Sequence, residues 1–500
     1  MAVIVIFCIL YLICSLVLLA YSLQCYLLTF LFLKARKRVV PGQRITMHHF
    51  DTITDESAYP TVVTQLPMYN EKAVAVRIIN AAAAIDYPRS KHEIQVLDDS
   101  NDETIQFVDD TVNALKAKGI QISVVRRTNR VGFKAGALQN GLNFTKAEFV
   151  AIFDADFVPK PDYLKKSIAF FINKPNLGLV QGRWSHINRN SSMLTRGQAM
   201  GIDGHFMIEQ AARSWNGLFM NFNGTAGVFR RKAIESCGGW QHDTLTEDMD
   251  LSYRMQLHDW KTEYVPDIDV PAEIPEDINA FKNQQFRWAK GSIQTAIKII
   301  PLLRKKKMPF FKFLQAVLHL THYMVHPVML FLALLNMPIL FLTKFHVSPL
   351  FFCVIVGIII IATSGPSTMY MVAQHYLGNK VRHKIFLIPA MMLIGTGLAV
   401  NNGKAVIEAL IGKESPFHRT PKKGQISKSS YRPLKDITCI VEMVVGLYCL
   451  VCMYLFIGDA NFIVSPFLML YAAGFLFTGV LSFIHYKRPE LIYLKPNFLP

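Results

Sequence analysis

Hydrophobic and polar positions divide this chain into an apolar start, a polar middle and an apolar end. Residues 1–33 hold no charged side chain, enough for one membrane-spanning helix with tilt to spare, and KARKR follows at 34–38. A secretory signal would carry its positive charges before the apolar run and a small-residue cleavage site after it, so this run reads as an anchor. From Pro60 the pattern alternates between strand and helix: TVVTQLP, a helical run over 71–85, EIQVLDD, a helix near 102–118, QISVVRR, a helix opening at VGFKAGALQNGL, and the buried strand EFVAIFDADFVP. Such alternation predicts an α/β domain with a largely parallel sheet, helices on both faces, and ligands beyond the carboxyl ends of the strands. Asp99 and Asp154 fall at two of those ends.

After Trp288 the basic LLRKKK and aromatic PFFKFL predict a helix lying in the membrane interface, and apolar spans follow at 318–342, 349–373, 385–399, 437–457 and 462–483. The resulting organisation is an N-terminal membrane helix over 1–33, a basic linker over 34–59 and a catalytic domain over 60–300. An interfacial segment over 301–317, a membrane region over 318–484 with a basic loop at 413–435, and a tail over 485–500 complete it. The positive-inside rule puts the domain in the cytoplasm. The basic loops at 380–384, at 413–435 and after His485 prefer the same side, so 385–411 is expected to enter and leave on one side as a hairpin interrupted at Asn401, Asn402 and Gly403. The alternative is one short span and a reversed C-terminus.

Composition agrees: 51% hydrophobic residues and a mean hydropathy of +0.26 are too apolar for a soluble enzyme, while the charged middle is too polar for a pure membrane bundle. The net charge of +17 sits largely beside hydrophobic segments, which points to anionic lipid headgroups and not to nucleic acid. All the cysteines but Cys237 lie in apolar segments and read as buried thiols. Neither GxGxxG nor a Walker A sequence occurs.

Four signatures carry the chemistry, in the order LDD at Asp98–Asp99, DAD at 154–156, TED at 246–248 and QQFRW at 284–288. Two carboxylates spaced as DxD at a strand end, Asp154 and Asp156, can hold a hard divalent cation, magnesium or manganese, against a diphosphate. Asp248 is suited to take the proton from an acceptor hydroxyl in a displacement that inverts the anomeric carbon. Thr246 and Glu247 could equally cap the helix that follows. Arg287 offers a planar cation to phosphates, Trp288 a flat face to a sugar ring and Gln284 a hydrogen-bonding neighbour; anchoring an interfacial helix is the plain alternative. Lys134, at the start of the FKAGAL helix, can meet phosphate, whereas a solvated loop is the default for Arg127 and Arg130.

With QLPMYNE, IQVLDDSNDET, GFKAGALQNGL, FDADFVP, FNGTAGVFR, GGW, TEDMDLSYR and QFRWAKG, the chain resembles processive family 2 glycosyltransferases, cellulose synthase and especially the cellulose-synthase-like glucomannan and mannan synthase branch, over about 60–294. The resemblance implies a GT-A, Rossmann-like domain inserted between transmembrane helices, and a UDP- or GDP-sugar donor. It also implies a β-linked polysaccharide product, elongation coupled to passage through the membrane helices, and an accessory export protein as an optional partner. It implies that Tyr69, Glu71, Asp99, Lys134, Asp154 and Arg287 contact the nucleotide sugar, that Asp154 and Asp156 bind metal, and that Asp248 is the base. Asn223, Gly224, Thr225, Gln284 and Trp288 would face the acceptor. FHRTPK is similar to a gating loop, which implies that Phe417, Arg419, Thr420 and Lys422 close over bound nucleotide. FNGTA stands where cellulose synthases have FFCGS, Arg419 where valine is usual, and one N-terminal span where two are usual. Two other readings are a transferase that glycosylates a lipid such as ceramide or diacylglycerol, and a non-catalytic nucleotide-sugar-binding membrane protein. A bacterial plasma membrane is expected ahead of a Golgi membrane.

Overall fold

The computed structural model describes residues 2–343, 349–414, 437–458, 465–489 and 492. Its first helix, Ala2–Met47, runs through the basic stretch where the sequence predicts a linker from residue 34. Ala, Lys, Arg and Gln are good helix formers, and its packing against the sheet domain and the helices Val325–Thr343 and Pro349–Tyr376 carries the helix past Pro41.

Seven strands form one sheet: β1 (Val62–Met68), β2 (His92–Asp98), β3 (Ile122–Val125), β4 (Phe149–Ile152), β5 (Leu177–His186), β6 (Gly227–Arg230) and β7 (Lys261–Ala272), in the order β3-β2-β1-β4-β6-β5-β7. Alternation along β1 sends Val62 and Leu66 to the core on one face and Val63 to the core on the other, so helices cover both sides. The sheet is mixed and not wholly parallel, because β6 pairs antiparallel with both β4 and β5. That reversal matters for the site. Since Ile152 at the end of β4 pairs with Gly227 at the start of β6, the segment just before β6 is delivered to the carboxyl edge where Asp99 and Asp154 lie.

Among the described residues, five helices are long and apolar enough to cross a membrane: Val5–Met47, His322–Ile339, Cys353–Tyr376, Thr438–Ile457 and Ser465–Lys487. The pair Ile385–Gly397 and Ala399–Leu410 is bent by 41°, either as a broken span or as a re-entrant turn. Its break falls at Leu398, ahead of the expected interruption: Asn401, Asn402 and Gly403 lie inside the second helix, where Asn401 Nδ2 donates to Lys282 O and so finds a partner without breaking the helix. Between the helix Ile278–Lys305 and the next long apolar helix the chain forms the short apolar helix Phe310–Leu320, with Phe310 and Phe311 exposed.

Buried ion pairs tie the domain to the apolar helices. The helix Ile278–Lys305 places Lys282 Nζ 2.7 Å from Glu442 of Thr438–Gly458, and Lys290 Nζ 3.1 Å from Glu408 of Ala399–Leu410.

Candidate active site

A cleft of about 280 Å³ opens at the carboxyl edge of the sheet. It is lined by Tyr69, Glu71, Asp99, Lys134, Asp154, Asp156, Asn223, Gly224, Asp248, Gln284, Arg287 and Trp288, so the signatures scattered along the sequence converge on one space. Thr225 is the exception. It is fully buried behind the cleft, and its Oγ1 accepts the Asp154 N–H at 2.9 Å, so it positions the DAD turn and does not face an acceptor.

Lys134 sits in the first turn of the helix Phe133–Gly141, entered through Gly132 at φ +74°. Its Nζ lies 2.5 Å from Asp154 Oδ1 and donates to Gly224 O at 2.8 Å. Burial disfavours its charge, but Asp154, Glu247 and Asp248 outweigh that and raise its pKa. The loop before β6 hangs from Gln181 on β5, whose Oε1 accepts the Asn223 N–H at 3.2 Å and whose Nε2 donates to Thr225 O and Ala226 O. Gly224 is required there. At φ +81°, a Cβ would stand 3.0 Å from Asp248 Oδ2, between that carboxylate and the lysine.

The capping alternative for TED fails on geometry. Thr246 makes no side-chain cap; its hydroxyl pairs with Thr295 Oγ1 at 3.1 Å, and Gly291 on the same helix makes room, since a Cβ there would meet Thr246 at 2.6 Å. Asp248, in the first turn of Glu247–Leu257, accepts the Met249 N–H at 2.8 Å and is otherwise turned to the cleft. Burial first, and then the neighbouring Glu247 carboxylate, push its pKa up to about 7, with Lys134 opposing. Burial also raises Glu247. A carboxyl poised near neutrality is suited to accept a proton.

The helix Ile278–Lys305 begins at an Asp277 cap that accepts from Asn279 and Ala280 N–H groups. Spacing of three and four places Gln284, Arg287 and Trp288 on one face. Burial lowers the Arg287 pKa, while Glu247, Asp154, Asp248 and Asp156 work the other way, so its guanidinium faces the acidic centre. The Trp288 ring lies 6.4 Å from that of Trp184 on β5.

At the other end, the Arg130 guanidinium lies 3.2 Å over the Tyr69 ring. Asp99 lines the cleft, but Arg127 grips it with Nε 3.0 Å from Oδ1 and Nη2 on Oδ2. Arg127 is therefore not the solvated side chain expected of a basic loop; it is 11% exposed and braces the turn through Val131 O and Phe133 O.

Sequence reasoning missed Trp184, which offered only an aromatic at a strand end, and Glu273, which follows β7 and pairs with Arg77 at 2.5 Å. It also missed His205, Glu209 and Arg213, whose spacing of four is indistinguishable from a surface helix. Phe417, Arg419, Thr420 and Lys422 lie outside the described residues.

The donor set fits a magnesium- or manganese-type ion that arrives with a diphosphate. Among the described residues no three His, Cys, Asp or Glu side chains gather as a metal cage, and such ions are commonly held by one or two carboxylates with phosphate and water oxygens completing the shell.

Residues 60–291 match the model of the glycosyltransferase-like family 2. Glucomannan 4-beta-mannosyltransferase 2 of Arabidopsis thaliana is 44% identical over 269 residues, which cover 53% of this chain and 50% of that protein, so the match spans about half its length. The probable glucomannan 4-beta-mannosyltransferase 15 of the same plant is 34% identical over 439 residues, covering 84% of this chain and 79% of that protein. Among solved structures, a mannosyltransferase of Pyrobaculum calidifontis in complex with GDP-Man and Mn²⁺ is 20% identical, covers 79% of this chain and 100% of its own, and superposes with a TM-score of 0.47. Relatives from a plant give the expectation of a bacterial plasma membrane no support, whereas the five apolar helices fit a multi-pass membrane protein. The α/β domain is a GT-A domain, and the chain is a glycosyltransferase that belongs to glycosyltransferase family 2, in the cellulose-synthase-like branch of the glucomannan 4-β-mannosyltransferases.

Proposed function

We propose that this enzyme transfers mannosyl units from GDP-mannose to the end of a growing β-linked polysaccharide of the mannan or glucomannan type and passes the product into the membrane region. The names of the relatives support the sugar and the linkage. The observation that carries the polymer is a second cavity of about 560 Å³ among the membrane helices, which shares Asn223, Asp248, Trp184 and Trp288 with the catalytic cleft. In this reading a product formed at Asp248 moves into that cavity. Nothing comparable favours a lipid acceptor.

In this reading Asp248 takes the proton of the acceptor hydroxyl as its oxygen attacks the anomeric carbon from the face opposite the nucleotide. The bond to the diphosphate breaks with its electron pair, and an α-linked donor gives a β-linked product. Arg287 and Lys134 stabilise the charge that develops on the leaving diphosphate. Asp154 and Asp156 would hold magnesium or manganese, which supplies further neutralisation when bound. Gln284 and Trp288 orient the acceptor ring, while Tyr69, Glu71 and Asp99 surround the nucleotide.

The test is to incubate the detergent-purified chain with divalent metal and radiolabelled GDP-mannose, UDP-glucose or UDP-N-acetylglucosamine, and to separate polymer from lipid-soluble product. Polymer labelled from GDP-mannose, cut by a β-mannanase and absent with Asp248→Asn, is expected. Label confined to lipid would refute the reading.

A further inference from the structure

Between the catalytic cleft and the membrane cavity the chain runs as one helical stretch whose middle is not α. Met193–Gly204 is α-helical, His205–Glu209 makes a π turn, and Gln210–Trp215 is α again. Such single-turn insertions are rare in helices and are frequently found at functional sites. Here His205, Glu209 and Arg213 all line the membrane cavity.

These three form a chain of hydrogen bonds. Arg213 Nε–H donates to Glu209 Oε1 at 3.0 Å, and its Nη1 donates to Gln315 O at 3.2 Å. His205 Nδ1 lies 2.9 Å from Glu209 Oε2, and its Nε2 lies 3.0 Å from Asn223 Nδ2. Because the Asn223 oxygen already accepts from Gln210, its amide nitrogen is the donor to His205, which leaves the imidazole proton on Nδ1 facing Glu209. Burial works to raise the Glu209 pKa, but Arg213 and His205 hold it well below the ordinary carboxylate range.

Unlike a core network, this one is not sealed. The side chains of His205 and Glu209 remain 29% and 20% exposed, whereas Arg213 is 1% exposed. Each Glu209 oxygen has accepted one hydrogen bond and keeps a lone pair for another. Trp184 and Trp288 line the same junction. Saccharides present hydroxyl edges and flat CH faces, and a cavity lined by both a fixed anionic acceptor and indole rings is complementary to both.

We infer that His205 and Glu209 bind hydroxyl groups of the acceptor sugar one place behind the unit under attack, where the cleft opens into the membrane cavity, with Arg213 and Asn223 as positioning residues. The inference rests on the polysaccharide reading above and adds to it a subsite for the second sugar.

The experiment uses the full chain in detergent with β-1,4-linked manno-oligosaccharides of one, two and three units, measuring affinity by calorimetry and transfer as kcat/KM, with GDP-mannose affinity measured separately. The wild type is expected to gain about tenfold or more from the second unit, the scale of one hydrogen bond to a charged group. His205→Ala and Glu209→Gln lose that gain yet bind the monosaccharide and donor as before, and His205→Gln recovers part of it. Equal loss at every length, no loss at any length, or a wild type without a gain overturns the subsite. If Glu209→Gln fails to fold, because Arg213 has lost its charge partner, His205→Ala decides alone. A wild type that glycosylates only lipid would defeat the polysaccharide reading and the subsite together. A wild type that extends saccharides, with variants that keep the gain, would defeat the subsite alone.

Discussion

A base with a pKa near neutrality has a measurable signature. Asp248 must be ionised to accept a proton, and burial with the adjacent Glu247 carboxylate pushes its pKa up to about 7. The ionised fraction is then about one half at pH 7, about a tenth at pH 6 and about a hundredth at pH 5, so kcat/KM should fall tenfold per unit along the acid limb. An ordinary aspartate would keep the rate level down to about pH 5. Glu247 and Asp248 interact, so the limb reports the pair. Glu247→Gln removes the like charge and leaves burial in place, so the limb should move to lower pH without disappearing, while Asp248→Asn should reduce kcat about 100- to 10,000-fold at every pH. The assay is initial-rate transfer from radiolabelled donor at constant ionic strength over pH 5 to 9, with donor below saturation, so that the free enzyme's groups are read. A rate that stays level down to pH 5, or a limb that does not move in Glu247→Gln, would refute the argument.

Four other outcomes are expected. Asp154→Ala and Asp156→Ala should each weaken metal-dependent donor binding, read by titrating GDP-mannose with and without manganese; chelation of the wild type should reproduce the loss, and a variant with unaltered metal dependence would remove that residue from the ion's shell. Glu442→Gln removes the charge that lies 2.7 Å from buried Lys282 and should lower the melting temperature in detergent; Glu235→Gln, breaking the exposed pair with Arg231, is the control, and equal melting shifts would contradict the clamp. Gly291→Ala forces a Cβ to 2.6 Å from Thr246 and should lower kcat by displacing the TED turn, with donor affinity read alongside as the reference that stays level. Trp288→Ala should raise KM for a saccharide acceptor about tenfold or more while donor affinity holds, and a change confined to donor affinity would place the ring elsewhere.

The parts that were legible share a property: they are local. The apolar first helix, the apolar helices near 318–342, 349–373 and 437–457, and the strands ending at Asp99 and Asp154 follow from runs and periods of a few residues, and the DAD, TED and QQFRW signatures needed only their order. The basic stretch misled because its residues favour helix as readily as linker, and Asn401–Gly403 misled because a buried carbonyl partner lets polar residues sit inside a helix.

By itself the sequence determined the α/β class, the apolar helices on either side of that domain and most of the chemical groups, because burial periodicity and side-chain chemistry are written residue by residue. Only the tertiary structure decided how those groups meet. The reversal of β6 sets Gly224 against Asp248 and retires Thr225 to a supporting position; Arg127 closes on Asp99; Lys282 finds Glu442 on a membrane helix 160 positions away in the chain. The π turn that aims His205 and Glu209 into the cavity was likewise invisible, since a stripe at every fourth residue describes an exposed face as well as a buried one. Pairings between residues distant in sequence depend on which surfaces pack together, and that is a property of the assembled chain and not of any window of it.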